Sequence, residues 1–282
     1  PTSPAPPPQR GVAVSRHGAA QALHSRLPVP QGHPEIYAAH HTVEPLARGA
    51  TRTNDWATTE GLAVTSRAKV VIGANYGDEG KGLMTDFFAA QAPGSIVARF
   101  NGGCQAGHTV TTPEGHRHVF SHFGSGLLAG ADTYLSRHFA VNPALFFKER
   151  DLLATALGKH TLYVDHRAPV TTFFDMLLNQ AVEAHRGQAR HGSCGMGFGE
   201  TIGRHESAYA LSVGDLLDKD GLYEKLVRIR DEYVPARRKA LGLPDDGPHN
   251  TLFSSDTLVE AFLQVAADFM AEVVVVPNAR AA

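Results

Sequence analysis

From Lys69 onward the chain alternates short apolar runs with longer stretches whose apolar positions recur every three to four residues, as strands alternating with amphipathic helices do. The β-branched run at 70–72, closed by Gly73, predicts a short buried strand, and a helix follows over 82–91. Further strands are predicted over 95–100, 118–123, 133–137, 161–165 and 273–276. Helices are predicted over 143–157, opened by Pro143, over 173–188, over 216–241, and over 256–272 with Asp256 as N-cap. This order predicts an α/β architecture of doubly wound type, in which sites gather at the C-terminal ends of the strands. The last strand runs straight into PNARAA, so the sheet is expected to be incomplete at the C-terminus.

Residues 1–66 lack this patterning. They open on PTSPAPPPQR and hold no sustained period, which predicts a disordered leader or, because the first methionine is Met84, mis-called upstream sequence. Composition narrows the function classes. With 282 residues, 43% of them hydrophobic, and a net charge of -2, the chain is long enough for a full core and lacks the basic excess of a nucleic-acid or membrane-surface binder. Partners are expected to be small molecules. Only Cys104 and Cys194 occur, ninety residues apart, so no disulfide framework or CxxC metal site is indicated. With no secretory layout and no run of about eighteen apolar residues, the chain is read as cytoplasmic.

Three glycine-rich strings carry the candidate chemistry. The first, GANYGDEGKG at 73–82, is a turn between the 70–72 run and a helix start, where backbone N–H groups and Lys81 could hold a phosphate. It departs from GxxxxGK[ST], since Asn75 stands six residues before Lys81 and Gly82 follows it. No hydroxyl is placed to hold a metal, and Asp78 is the nearest alternative oxygen. A solvated glycine turn would read the same way. The second string, ARFNGGCQAGHTV at 98–110, leaves a strand and presents Asn101, Gln105 and His108; a histidine on such a post-strand loop suits acid or base work, though a surface histidine is the plainer reading in a chain with 16 of them. The third, RHGSCGMGFGETIGR at 190–204, has the glycine density of a loop that wraps a phosphate or base, or of a flexible linker.

In this order, with HFGSGLL between the second and third strings and LSVGDLL after them, the strings resemble the adenylosuccinate synthetase family over residues 69 to about 276. The resemblance implies a P-loop-NTPase-like α/β fold with a mostly parallel sheet flanked by helices, residues 67–282 being the N-terminal part of the nucleotide-binding domain. It implies GTP-dependent joining of L-aspartate to C6 of IMP through a 6-phosphoryl intermediate, with Mg²⁺ as cofactor and a homodimer as the assembly. Carried over residue by residue, Asp78 removes the N1 proton and ligates Mg²⁺, with Gly107 as a further ligand through its carbonyl. Asn75, Gly77, Glu79, Gly80, Lys81 and Gly82 hold the nucleotide phosphates, and His108 stabilises the charge growing between the γ-phosphoryl group and the 6-oxygen. Asn101, Gln105, Ala106, Ser193 and Cys194 face the acceptor nucleotide.

The chain departs from the family pattern at several acceptor positions. Asn101 and Gln105 stand where the family has glutamine and asparagine, Ser193 and Cys194 replace a threonine pair, and Met196 replaces an arginine. The stretch before VGDLL reads HESAYALS in place of an arginine-rich segment, which leaves Arg204 as a substitute phosphate contact. SCGMGFGET looks like the phage branch of the family, which acts on dGMP and can use ATP or dATP. That branch often lacks the loop aspartate, whereas Asp78 is retained. IMP is therefore the first expected acceptor and dGMP the alternative. Family members also continue beyond the final strand into aspartate-binding and base-recognition segments, so an inactive nucleotide-binding fragment is a third reading.

Overall fold

The computed structural model describes residues 67–277 other than 76, 155–157, 159 and 248; the expected leader at 1–66 lies outside them. The first described element is helix α1, Lys81–Ala90, entered from Gly80 in a left-handed conformation (φ 74°). Then come β1 Ile96–Arg99, β2 Gly102–Gly103, β3 His108–Thr111, β4 Arg117–Phe120, β5 Asp132–Leu135 and β6 Phe139–Ala140. Helix α2, Pro143–Leu152, has Asn142 as N-cap, its side chain accepting from Leu145 N–H at 3.1 Å. After β7, Leu162–Asp165, helix α3, Phe173–Arg186, opens on a capping box between Thr172 and Asp175. The remaining elements are α4 Phe198–His205, α5 Lys219–Arg228, α6 Val234–Ala240, α7 Asp256–Glu272 and β8 Val274–Val276.

The main sheet is four-stranded and all parallel, in the order β1-β5-β7-β8, which meets the expected α/β class. Two small pairs stand apart from it: β2 with β6, parallel, and β3 with β4, antiparallel. Beneath them, α2, α3 and α7 bring aromatic side chains together. Phe146 meets Phe269 edge to face with centroids 5.1 Å apart, and Phe173 meets Phe262 at 5.6 Å.

Four expectations change. The run at 70–72 forms no strand, and Val70 and Ile72 are exposed: β1 is the edge of the described sheet, and nothing described pairs with its outer side. A strand needs a ladder partner whatever its own propensity. The strand expected over 118–123 ends at Phe120, because the amides of Ser121 and His122 turn aside to bind the Glu149 carboxylate. The helix expected over 216–241 is divided into α5, a π-turn at Ile229–Tyr233, and α6. Pro235 has no N–H for the i→i−4 ladder, and the turn just before it absorbs that break. Lastly, Ser255 is the N-cap of α7, with Asp256 in its first turn.

Candidate functional site

The first string folds back on itself around an anion. The Glu79 carboxylate accepts from the Asn75 amide and, at 3.0 Å, from the Lys81 ammonium. The Asn75 amide and then Lys81 hold its pKa below the ordinary glutamate value. A Cβ built on Gly73 would lie 1.9 Å from that carboxylate, so a side chain at 73 would push the Glu79 carboxylate out of its present place. The loop thus closes on an anion of its own, the Glu79 carboxylate. Asn75, Gly77, Asp78 and Gly80 are exposed, and Asp78 adopts a left-handed backbone (φ 52°), the strained geometry found where a side chain is presented to a ligand.

The second string leaves the C-terminal end of β1. The amide of Ala106 donates to the Gly103 carbonyl at 3.1 Å, closing a turn that holds Cys104 and Gln105. His108, expected on a loop, instead begins the β3–β4 hairpin opposite Phe120. It is half-buried, and burial, then the positive charges of Arg99 and Lys81, push its pKa down to about 4, so the ring is neutral at pH 7. A neutral imidazole there acts as a hydrogen-bond donor rather than as a cation. Gly82 in the first turn of α1 touches it directly, since a Cβ on Gly82 would stand 2.9 Å from the His108 Cβ. Asn101 and Ala106 are exposed beside it; the Gln105 Oε1 is buried with no hydrogen-bond partner, as an atom awaiting a ligand donor would be.

The third string reaches the second through sulfur: Cys104 Sγ lies 4.0 Å from Met196 Sδ. Burial, then the nearby Cys194 thiol, pushes the Cys104 pKa up to about 12, so it is no nucleophile. Ser193 and Cys194 are exposed on a loop pegged to α3, where Glu183 accepts from the amides of Gly192 (2.9 Å) and Ser193 (3.2 Å) and Asn179 donates to Ser193 Oγ at 2.9 Å. Arg204 does not reach this surface. It is fully buried and bonded to Asp175 and to the carbonyls of Val170 and Tyr209, which removes it as a phosphate contact.

The donors expected for Mg²⁺, the Asp78 carboxylate and the Gly107 carbonyl, are hard oxygens of the kind Mg²⁺ prefers. Mg²⁺ in nucleotide sites is held by one or two carboxylates together with substrate phosphates.

Sequence reasoning passed over the polar network beneath these loops. Glu149 of α2, buried, accepts from Ser121 N–H (2.8 Å), Ser121 Oγ (2.6 Å) and His122 N–H (2.5 Å), with the His118 and His122 rings at 3.5 and 3.6 Å. A glutamate in an amphipathic helix gives no sign of this. Burial works against its charge, yet the His118 and His122 groups that face it hold its pKa far below the carboxylate range. A depressed folded pKa stabilises the fold above the unfolded value of about 4.3, and that stabilisation is lost as pH falls. Glu149→Gln is therefore expected to lower the urea midpoint strongly at pH 7 and progressively less below about pH 4. A deficit that stays constant across that range would refute the ionised form.

An edge strand running into a glycine turn, and a glycine-rich loop leading into a helix start packed on His108, belong here to an α/β protein with a parallel main sheet. The chain matches the adenylosuccinate synthetase family over residues 70–278 and belongs to it. An adenylosuccinate synthetase of Microcystis aeruginosa is 31% identical over 199 residues, covering 70% of this chain and 42% of the relative. The fully ligated synthetase of Plasmodium falciparum shares the fold at a TM-score of 0.54 and 18% identity, covering 72% of this chain and 49% of that one. A cyanophage S-2L succinoaminodeoxyadenylate synthetase bound to dGMP and dATP aligns at a TM-score of only 0.39 and 19% identity, covering 57% and 41%, a likeness that carries no weight for substrate. The chain thus spans less than half the length of these relatives. Among the described residues no helix is long and apolar enough to cross a membrane.

Proposed function

We propose that this chain carries the phosphate-loop and acceptor half of an adenylosuccinate synthetase-type ligase, which joins L-aspartate to C6 of IMP at the expense of GTP. The observation that carries this reading is the contact of Gly82 with His108, which sets the phosphate cradle directly against the candidate electrostatic group. Asp78 accepts the N1 proton, so that the 6-oxygen can attack the γ-phosphorus and displace GDP. His108, neutral at pH 7, donates a hydrogen bond to the oxygens that gain charge. The aspartate amine then displaces phosphate from C6. Lys81 and the loop amides hold the donor phosphates once the Glu79 side chain has moved out. Bound Mg²⁺, held by Asp78 and the Gly107 carbonyl, supplies charge neutralisation on those phosphates. Family membership supports a homodimer.

The Ser193, Cys194 and Met196 positions favour a second acceptor reading, dGMP with ATP or dATP, because they depart together from the usual loop. The deciding experiment offers the full chain IMP or dGMP, with L-aspartate, Mg²⁺ and either GTP or dATP, and looks for succinylated purine nucleotide by mass spectrometry. Product from IMP supports the first reading and product from dGMP the second. No product from any pair, with nucleotide binding intact, would reduce the chain to a binding fragment.

A further inference from the structure

Arg99 is the last residue of β1 and 5% exposed, and among the described residues the partners of its guanidinium are carbonyls rather than carboxylates. One nitrogen donates to the Ala106 carbonyl at 2.7 Å and another to the Ser121 carbonyl. The group lies over the Phe139 ring, 4.9 Å from its centroid, and Phe139 belongs to β6, the partner strand of Gly102–Gly103. Ala106 is the exit of the Gly103–Ala106 turn, one peptide before Gly107 and two before His108. Ser121, gripped by Arg99 at its carbonyl, is gripped by Glu149 at its amide and hydroxyl. A continuous polar connection therefore runs from α2 through Ser121 and Arg99 to the turn that presents Gln105.

We propose that Arg99 is a positioning residue for the acceptor nucleotide: by clamping the Ala106 carbonyl it fixes the Gly103–Ala106 turn that carries Gln105. The inference rests on the reading that this turn holds the acceptor. A planar guanidinium fork holds two carbonyls from two nitrogens in a fixed geometry while lying on a ring, whereas a lysine ammonium offers a single nitrogen without that fork. With Lys at 99 the charge remains, one carbonyl loses its donor, and the turn is released.

The test uses the full chain as wild type, Arg99→Lys and Leu258→Ala, the last a core truncation in α7 that destabilises without touching the turn. Calorimetric titration with IMP, dGMP, GTP and dATP is read beside the melting temperature. In Arg99→Lys the monophosphate that wild type binds should weaken by about tenfold or more, the worth of one charge-assisted hydrogen bond, while triphosphate affinity stays within about twofold. Leu258→Ala should lower the melting temperature without that selectivity. Equal weakening of both nucleotides in Arg99→Lys, or no weakening, overturns the positioning role alone. A wild type that binds triphosphate and neither monophosphate overturns the acceptor reading, and the inference with it. If Arg99→Lys does not fold, Phe139→Leu removes the ring under the guanidinium and keeps its donors; a smaller loss confined to the monophosphate is then expected, and an unselective loss refutes the proposal.

Discussion

Replacing Arg204 by methionine is expected to destabilise the fold by about 3–5 kcal/mol, the loss that follows when one partner of a buried ion pair is removed. Both Arg204 and Asp175 are fully buried. The guanidinium donates to Asp175 Oδ1 at 2.9 Å and Oδ2 at 2.8 Å, to the Val170 carbonyl at 2.7 Å and to the Tyr209 carbonyl at 2.8 Å. Without it, the buried Asp175 carboxylate loses its counter-charge, keeping only its Thr172 donors, and the Val170 carbonyl is left buried without the guanidinium. The same carboxylate caps α3, accepting from the Thr172 amide at 2.7 Å, and Gly197 at the start of α4 packs so closely on this turn that a Cβ there would lie 2.8 Å from the Asp175 backbone. Loosening the pair therefore loosens the seat of the third glycine string. Urea unfolding at pH 7 measures the effect. Arg204→Lys should retain part of the stability, since it keeps the charge and loses the fork. A methionine variant within about 1 kcal/mol of wild type would show that the pair contributes little beyond its own desolvation.

On the proposed function, in which Asp78 accepts the N1 proton and ligates Mg²⁺, the second large effect is on turnover. Asp78→Asn keeps the shape of the side chain and its left-handed backbone, which asparagine tolerates, but cannot accept the N1 proton. Turnover should fall by about 10²–10⁴-fold, the range ascribed to a positioned acid or base. Triphosphate binding through Lys81 and the loop amides should persist, weakened only through the lost metal contact. His108→Ala should produce a fall of similar order, while His108→Gln, which still has a donor, should recover part of it. Single-turnover product formation beside nucleotide titration separates chemistry from binding. If both variants turn over at the wild-type rate, Asp78 and His108 have been given the wrong roles; if binding is lost with turnover, they are binding residues.

Much of this was legible before any coordinates. Thr172 followed three residues later by Asp175 marks a helix start, and the apolar spacing of α3 and α7 marks the faces that meet through Phe173 and Phe262. The three glycine strings announce close backbone approach, because only glycine fits such turns. Those are local properties, in which each residue's own geometry limits what its neighbours can do.

Pairing and burial are not local. Residues 70–72 have the composition of a strand and form none, since a strand exists only against a partner and β1 stands at the edge of the described sheet. Arg204 and Arg99 look alike as isolated arginines, yet one is consumed by Asp175 and the other clamps Ala106 and Ser121. Glu149 could equally have faced water. By itself the sequence marked α1, α2, α3 and α7, the glycine turns and the family to which the chain belongs; it did not mark α4, which forms within a string read as a loop, or the break between α5 and α6. Only the tertiary structure decided which charges are buried together, because the free energy of a buried polar group depends on the partner that meets it and not on its position along the chain.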